Sequence, residues 1–460
     1  MKTKVGQMLK YLASVICVSS ILILYTGAYS ISIAENESTY EYLKLFSDVL
    51  QEIEQNYVDE VDGKTLIQNA IKGMVNNLDP HSNFMPPEAF GELQDETKGE
   101  FGGVGIVIAI KKGVLTVISP IEGTPAYKAG IKSGDMIIRI DGEPTADFEL
   151  WQSVKKMRGE MGSPVVLTIM REGVTEPVEY KLTRDIIPMT SVRSATIQPG
   201  YGYVWITNFR DKTDNELKEA LNRLESAATP LKGLILDLRN NPGGLLGQAV
   251  SVSDIFLDKG EIVSIKGRLE EQAEVFKANA TKDDKKYPVV ALINGGTASA
   301  SEIVAGALQD HKRALILGTT SFGKGSVQSV KPLRDGFGLK YTIARYYTPS
   351  GRSIQAEGIK PDIEVEYNFE EPEATEDKEQ KPAASMENRM LREKDLKNHL
   401  EPIKNQNQNI EIEIDKQKNQ ENMEKRPAES LVDLEKLKKD KHVKRALDIL
   451  IGYGVFSELK

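Results

Sequence analysis

Cysteine is almost absent from this chain of 460 residues: the only one is Cys17, inside an apolar N-terminal stretch. A single cysteine excludes an intramolecular disulfide and any metal site built on cysteine pairs. The four histidines, at positions 81, 311, 399 and 442, also lack the close spacing of a zinc-binding helix. We therefore expect neither a metal nor another cofactor.

An excess of positive charge is also missing. Lys and Arg number 59 against 68 Asp and Glu, which gives a net charge of −9. Proteins that bind nucleic acid rely on clustered Lys and Arg to neutralise phosphates. The composition therefore argues against nucleic acid as the main partner.

Long hydrophobic runs are limited to one, from Tyr11 to Ala34, and it follows Lys2, Lys4 and Lys10. Basic residues before an apolar run form an export signal, and Ser32-Ile33-Ala34 fits a small-x-small cleavage site. A run of about 20 apolar residues also suits an uncleaved membrane anchor. Both alternatives stay open for residues 1–34, and both predict export to the bacterial periplasm or cell envelope, with membrane association in the second case.

Helical patterns occupy both ends of the remaining chain. Apolar residues recur at helical spacing in 35–98, and again in a C-terminal segment, 431–460. Between 367 and 430 the sequence is rich in Glu, Lys, Asn and Gln, which is typical of a low-complexity, flexible insert. The amphipathic helices of the two ends are compatible with a homodimer, which is a further prediction.

Two β-containing domains lie between these ends. In 99–186, short β-type runs alternate with Gly-containing turns, and two short helices fit at Pro125–Ala129 and Glu149–Met157. In 187–366, strands and helices alternate, which predicts an α/β core with a largely parallel sheet. Strands of this core are predicted at Gly202–Ile206, Gly233–Leu238, Glu261–Ile265, Val289–Asn294 and Ala314–Gly318.

Ser299 is a candidate nucleophile. An apolar strand ends at Asn294, two glycines turn the chain, and small residues open a helix at Ala298. Unpaired backbone N–H groups and the positive end of the helix dipole suit an oxyanion that forms during acyl transfer. The structural alternative is that Thr297, Ser299 and Ser301 only cap the helix.

A serine nucleophile needs a base, and Lys324 is the best candidate. His311 lies 12 residues beyond Ser299 on the same predicted helix, roughly 18 Å along its axis, which is too far. Lys324 stands between Gly323 and Gly325 after a buried strand, where desolvation would lower its pKa. Gln328 is predicted to share a face with it and to orient the amine. The alternative is an ordinary surface lysine.

The same stretch also matches the start of a nucleotide-binding P-loop, from Gly318 to Lys324. Gly325 stands where a P-loop has the Ser or Thr that binds magnesium. The residues from Ser326 also favour a strand, whereas a P-loop opens a helix. We therefore do not favour an NTPase.

Two glycine-rich loops are candidate binding elements. The amide of Gly243 or Gly244 is predicted to form an oxyanion hole with that of Ala300, although a plain turn is the alternative. The second loop precedes a strand and suits binding of a terminal carboxylate while a peptide adds to the strand edge. Its candidate substrate-binding residues are Gly102, Gly103, Val104, Gly105 and Ile106.

These residues together resemble the carboxyl-terminal processing (tail-specific) serine proteases. The match covers most of 40–366 and is in one order across several modules. It includes Leu78–Ser82, Gly123–Ala126, Gly130–Asp135, Leu238–Gly244, Ser299–Glu302, Phe322–Gly325 and Tyr347–Arg352.

The resemblance implies a multidomain α/β and β protein. It would have a ClpP/crotonase-like α/β protease core, an inserted PDZ domain, and helical N- and C-terminal segments. It implies a catalytic dyad of Ser299 and Lys324 assisted by Gln328, and it matches Arg158 to a basic position of the PDZ domain. We therefore predict a serine endopeptidase that cleaves protein substrates near their free C-termini. The alternative is a non-catalytic PDZ adaptor of envelope proteins.

Overall fold

The computed structural model describes residues 39–111, 113–269, 273–280, 285–366, 392–401 and 432–459. The chain divides into two units, Met1–Val75 and Asn76–Lys460. The predicted signal or anchor, 1–34, lies outside the described residues. Within the described ranges, no helix combines the length and apolar character needed to cross a membrane.

The first unit contains two helices, α1 over 39–56 and α2 over Gly63–Asn76. Asp62 starts α2, because its carboxylate accepts hydrogen bonds from the backbone N–H and the hydroxyl of Thr65. Large apolar side chains of α1, among them Tyr42 and Leu43, are exposed. The homodimer predicted from these helices stays a prediction.

Residues 99–186 form the predicted β domain. Its main sheet has the order β3-β4-β5-β7-β8, with β6 paired to β5, and β3 therefore lies at an edge. Two short helices, α4 (Pro125–Lys128) and α5 (Leu150–Met157), cover its core close to where the sequence predicted them. The strands are β3 (Ile106–Lys111), β4 (Val114–Pro120), β5 (Met136–Ile140), β6 (Glu143–Pro144), β7 (Pro164–Met170) and β8 (Val178–Thr183).

A two-stranded ribbon joins this domain to the core. Strand β2 (Glu100–Gly103) pairs with β9 (Asp185–Pro188), one on each side of the β domain. The ribbon is fastened at its far end by the amide of Met189, which donates to the carbonyl of Gly99. The candidate loop Gly102–Ile106 therefore begins inside the connection between the two domains.

The core contains the predicted sheet, in the order β10-β11-β12-β15-β16-β19. All its neighbouring strands are parallel except β10 and β11. Its strands are β10 (Val192–Gln198), β11 (Tyr201–Ile206), β12 (Gly233–Asp237), β15 (Val289–Ile293), β16 (Ala314–Gly318) and β19 (Ile363–Glu364).

Helices cover both faces of this sheet, because its strands are apolar on both sides. On one face, α6 (Thr213–Glu225), α7 (Leu246–Asp254) and α8 (Ala300–Asp310) pack against alternate strand residues such as Leu234 and Leu236. On the other face, α10 (Lys441–Glu458) packs against residues such as Ile235. The predicted C-terminal helical segment is thus a pair, α9 (Leu434–Lys439) and α10.

One predicted strand exists but belongs to a different sheet. Glu261–Ile265 was assigned to the parallel sheet, but β13 (Glu261–Gly267) belongs to a second, antiparallel sheet. That sheet contains β1 (Asn83–Met85), β14 (Glu274–Lys277), β17 (Ser326–Pro332) and β18 (Gly338–Tyr347), together with β13. The long strand β18 provides the pairing edge for β1, β13 and β17, and strand spacing along the chain does not reveal such a partner.

The structure describes part of the segment between the core and the C-terminal helices. Within the predicted flexible insert, 367–430, it describes 392–401, where Glu393 is fully buried while half of the residues, such as Lys394 and Lys397, are exposed. Residues 367–391 and 402–430 lie outside the described residues.

Helix α3 (Pro87–Lys98), which follows β1, completes the elements before the β domain.

Candidate active site

Ser299 occupies the turn that connects β15 to α8, directly before the first residue of the helix. Its backbone has φ 56° and ψ −116°, in a region that L residues rarely adopt. Its side chain is almost fully buried, at 6% exposure for the residue. A strained, buried serine at a helix N-terminus is the local geometry expected of a nucleophile.

Lys324 lies in the loop between β16 and β17, and it is half-buried. Burial, and after it the nearby charge of Lys340, lowers the pKa of its amine to about 8. Three carboxylates, those of Glu393, Glu302 and Asp79, oppose this effect. The P-loop interpretation is excluded, because the strand β17 follows this lysine instead of a helix.

Glu302, on the first turn of α8, connects the two candidate catalytic residues. One carboxylate oxygen accepts the backbone N–H groups of Ser299 at 2.8 Å and Lys324 at 2.9 Å. The other accepts the hydroxyl of Ser321 at 2.5 Å and the N–H of Gly323 at 2.7 Å. Burial raises the pKa of Glu302 to about 7, although these four donors act in the opposite direction.

The same carboxylate therefore holds the helix start and the lysine loop at one point. Among the described residues, no hydrogen bond joins the Ser299 hydroxyl directly to the Lys324 amine. Catalytic hydrogen bonds are often long in a free enzyme and shorten when substrate binds. The sequence match included Glu302, but the sequence alone assigned no role to it.

The predicted oxyanion loop lies against Ser299. A Cβ at Gly243 would stand 2.8 Å from the Ser299 Cβ and 2.9 Å from the backbone nitrogen of Ala300. The amide of Gly243 already donates to Asn241 Oδ1 at 2.9 Å. Within the described residues, the amides of Gly244 and Ala300 make no hydrogen bond, so they are the pair best suited to an oxyanion.

Gln328 lies on β17, four residues beyond Lys324. Its amide nitrogen donates to Ser326 Oγ at 2.8 Å and to Thr342 Oγ1 at 3.4 Å. No hydrogen bond connects it to the lysine amine within the described part of the chain, and its orienting role stays a prediction. The sequence analysis did not identify Tyr346, on β18, which interacts with the Ser299 side chain. Burial raises the pKa of Tyr346 to about 12, and its hydrogen bond with the Ser299 hydroxyl opposes that shift.

The predicted peptide-binding loop has a tightly packed backbone. Gly105 has φ 76°, and a Cβ there would lie 2.3 Å from the Thr124 side chain. Gly103 and Val104 are buried, and Gly102 accepts a hydrogen bond from Gly159. The loop continues through Ile106 into the edge strand β3.

Arg158 lies beside this loop. Its guanidinium stacks 4.2 Å from the ring centroid of Phe101, on strand β2 of the connecting ribbon. Its Nε is buried and has no hydrogen-bond partner among the described residues. The residue therefore contacts both the β domain and its connection to the core, and its reading of a bound peptide stays a prediction.

Two histidines that the sequence analysis set aside have other partners. His311 ends α8, and its Nε2 is 2.7 Å from the carbonyl of Glu261. His81 is 2.7 Å from the carboxylate of Glu393. Glu393 itself was missed, because it lies in the charged segment for which we predicted no packing. No group of three His, Cys, Asp or Glu side chains forms a metal-binding cluster in the ranges that the structure describes.

Comparisons with known families match three parts of the chain. Residues 200–365 match the model of peptidase family S41. Residues 102–182 match the PDZ domain, and residues 16–89 match the N-terminal domain of the activating protease CtpB. The matches follow the order of domains in the fold.

Curated relatives extend this match over most of the chain. A carboxy-terminal-processing protease of Bartonella bacilliformis is 46% identical, over 77% of this chain and 82% of the relative. The carboxy-terminal processing protease CtpA of Bacillus subtilis is 36% identical, over 77% and 76%. Among solved structures, the photosystem II D1 C-terminal processing protease is 31% identical over 70% of this chain and 92% of that chain, with a TM-score of 0.41. The chain therefore belongs to the S41 family of carboxy-terminal-processing serine peptidases, in the form that carries a PDZ domain.

Proposed function

We propose that this protein is a cell-envelope endopeptidase that cleaves proteins near their C-termini through a dyad of Ser299 and Lys324. The observation that carries the proposal is the shared carboxylate of Glu302, which binds the backbone N–H groups of both residues. Two side chains from loops 25 positions apart are thereby held at one site. The ClpP/crotonase-like description of the core is part of the proposal and is supported by the parallel sheet covered by helices on both faces.

The lowered pKa of Lys324 makes it suitable as a general base. With a pKa of about 8, about a tenth of the amine is neutral at pH 7. An ordinary lysine, with a pKa near 10.5, would be neutral several hundred times less often. Burial thus produces the base without help from histidine or a metal.

The reaction follows from this arrangement. Lys324 accepts the proton of Ser299 Oγ while the oxygen attacks the scissile carbonyl carbon, and the amides of Gly244 and Ala300 stabilise the oxyanion. The ammonium then returns the proton to the leaving amine, and an acyl-enzyme on Ser299 remains. Water, activated by the same amine, hydrolyses the ester.

The PDZ domain would recognise substrate C-termini by strand addition. Strand β3 is an edge strand next to α5, so a peptide can pair with it, and the Gly102–Ile106 loop stands at its start. The loop is continuous with the β2–β9 ribbon, and Arg158 stacks on that ribbon. This continuity supports coupling between peptide binding and the protease core. The non-catalytic adaptor is not favoured by the family match.

Variants at the dyad test the proposal. Ser299→Ala should abolish hydrolysis of casein and of an internally quenched peptide with a free C-terminus, while the melting temperature stays close to wild type. Lys324→Arg should be as inactive as Lys324→Ala, because arginine keeps its proton at working pH. If Ser299→Ala stays active, the nucleophile lies elsewhere. If Lys324→Arg is active, Lys324 is not the general base.

A further inference from the structure

A short segment after the protease core packs on the loop that carries Lys324. It comprises residues 392–401 and contains a turn at Glu393–Asp395. The Glu393 side chain has no exposed surface. A charged group is rarely buried in full unless it has partners, so its contacts need an explanation.

Glu393 is fastened to both ends of the tetrapeptide Phe322–Gly325. Its backbone N–H donates to the carbonyl of Phe322 at 3.1 Å. Its carboxylate accepts from Gln355 Nε2 at 2.9 Å, and Gln355 Oε1 accepts from the N–H of Gly325 at 3.0 Å. Lys324 lies between these two attachments, and Glu302 binds the same loop through the N–H groups of Gly323 and Lys324.

A third partner comes from the beginning of the second unit. His81 Nε2 lies 2.9 Å and 2.7 Å from the two oxygens of Glu393. His81 follows Asp79, whose carboxylate accepts its backbone N–H, and strand β1 follows two residues later. The carboxylate is therefore held by Gln355 and His81, and its charge raises the pKa of Lys324.

We propose that Glu393 is a positioning residue for Lys324, which fixes the lysine loop and stabilises the ammonium that forms when Lys324 accepts the serine proton. This inference rests on the proposed role of Lys324 as general base. Through it, the segment 392–401 becomes part of the active site instead of a spacer before the C-terminal helices.

The charges around Lys324 agree with this role. Burial and the cation of Lys340, from β18, favour the neutral amine. The carboxylates of Glu393, Glu302 and Asp79 favour the ammonium, and Glu393 has the largest effect of the three. A purely space-filling role would be served better by an apolar side chain, because desolvating a carboxylate is costly.

The pH dependence of kcat/KM distinguishes positioning from packing. Glu393→Gln keeps the shape and an oxygen that accepts from Gln355, but it removes the charge. We expect the midpoint of the acid limb, near pH 8 in the wild type, to fall by about one unit. At a pH below both midpoints, kcat/KM divided by its own high-pH plateau should then be about ten times larger for Glu393→Gln than for the wild type.

Glu401→Gln is the matched control. It makes the same change of charge in the same segment, but the Glu401 side chain is 75% exposed and pairs with His399 at 3.4 Å, while its backbone carbonyl accepts from Arg345. Its acid midpoint should equal that of the wild type. His81→Gln retains the negative charge of Glu393, so its midpoint should not fall. Equal midpoints in Glu393→Gln, Glu401→Gln and wild type would overturn the inference.

Two further measurements keep the test decisive. If melting shows that Glu393→Gln does not fold, Glu393→Asp replaces it: the midpoint should stay while kcat falls, and unchanged kcat would overturn the inference. Lys324→Arg is assayed in parallel. An active Lys324→Arg refutes the general-base role itself, whereas an inactive one with an unmoved Glu393→Gln midpoint refutes only the role of Glu393.

Discussion

Replacing Glu302 with glutamine disrupts the site where its four hydrogen bonds meet. The carboxylate accepts from Ser299, Lys324, Ser321 and Gly323, whereas glutamine has one accepting oxygen and one donating nitrogen. Whichever way the amide is turned, at least one backbone N–H then faces another donor. An unsatisfied buried group costs about 1–3 kcal/mol, so we expect lower stability and a large loss of activity.

The pKa of Glu302 makes the size of this stability loss depend on pH. Burial raises the pKa to about 7 from 4.5, so the folded chain holds this proton to a higher pH than the unfolded chain. The associated stabilisation is fully present below about pH 4.5 and is lost as the pH rises through about 7. A shift of this size corresponds to about 3 kcal/mol. Glutamine has no such proton, so the stability gap between wild type and Glu302→Gln should narrow with rising pH.

Thermal melting at pH 4.5 and pH 8 measures this gap. We expect the difference in Tm between the wild type and Glu302→Gln to shrink by roughly 5 °C over this range. Glu357→Gln, an exposed carboxylate in the turn at 355–357, is the control, and its gap should not change with pH. A gap for Glu302→Gln that widens as the pH rises would refute the reasoning, since the four donors would then outweigh burial and keep the carboxylate ionised.

Three other variants test separate parts of the site. Gly243→Ala should abolish peptide hydrolysis because its methyl group would stand 2.8 Å from the Cβ of Ser299. Gly247→Ala, which has open space around it, should stay active. Equal rates for the two variants would contradict the close contact between Gly243 and Ser299. In the wild type, a peptide with a free C-terminus should be cleaved about 5 to 150 times faster than its amidated form, and Arg158→Ala should reduce this ratio of rates. An unchanged ratio would argue against a role of Arg158 in sensing the bound C-terminus. Arg239→Met should lower the free energy of unfolding by about 3–5 kcal/mol, because it removes the cationic partner of the buried carboxylate of Asp237, and a loss under about 1 kcal/mol by urea titration would contradict this.

The sequence predicted the parts of the site that are encoded locally. Ser299 was found because a strand, a glycine turn and a helix start lie within ten residues, and Lys324 because glycines flank it after another strand. The structure places both loops at the ends of neighbouring parallel strands, β15 and β16, as the alternation of strands and helices implied. Their catalytic roles remain predictions that the variants above address.

Long-range contacts were outside the reach of such patterns. His81 and Glu393 are separated by 312 positions, and neither stands in a periodic segment. The composition around Glu393 predicts solvated chain, and the residue is buried only because partners from two other segments bind it. For the same reason β13 was placed in the wrong sheet: its own residues predict a strand but carry no signal for its neighbour β18.

The environment of Lys324 reconciles two opposite requirements of a lysine base. The amine must be neutral to accept a proton and must then be stable as an ammonium. Burial and Lys340 serve the first requirement, while Glu302 and Glu393 serve the second. The pKa of Glu302 is about 7 and that of Lys324 is about 8, and the charge of Glu302 raises the pKa of Lys324. Ionisation of Glu302 raises the pKa of Lys324 just as the amine begins to lose its proton. Removing a carboxylate therefore makes the base easier to form but its conjugate acid less stable, so the plateau rate above the acid midpoint should be highest when both carboxylates are present.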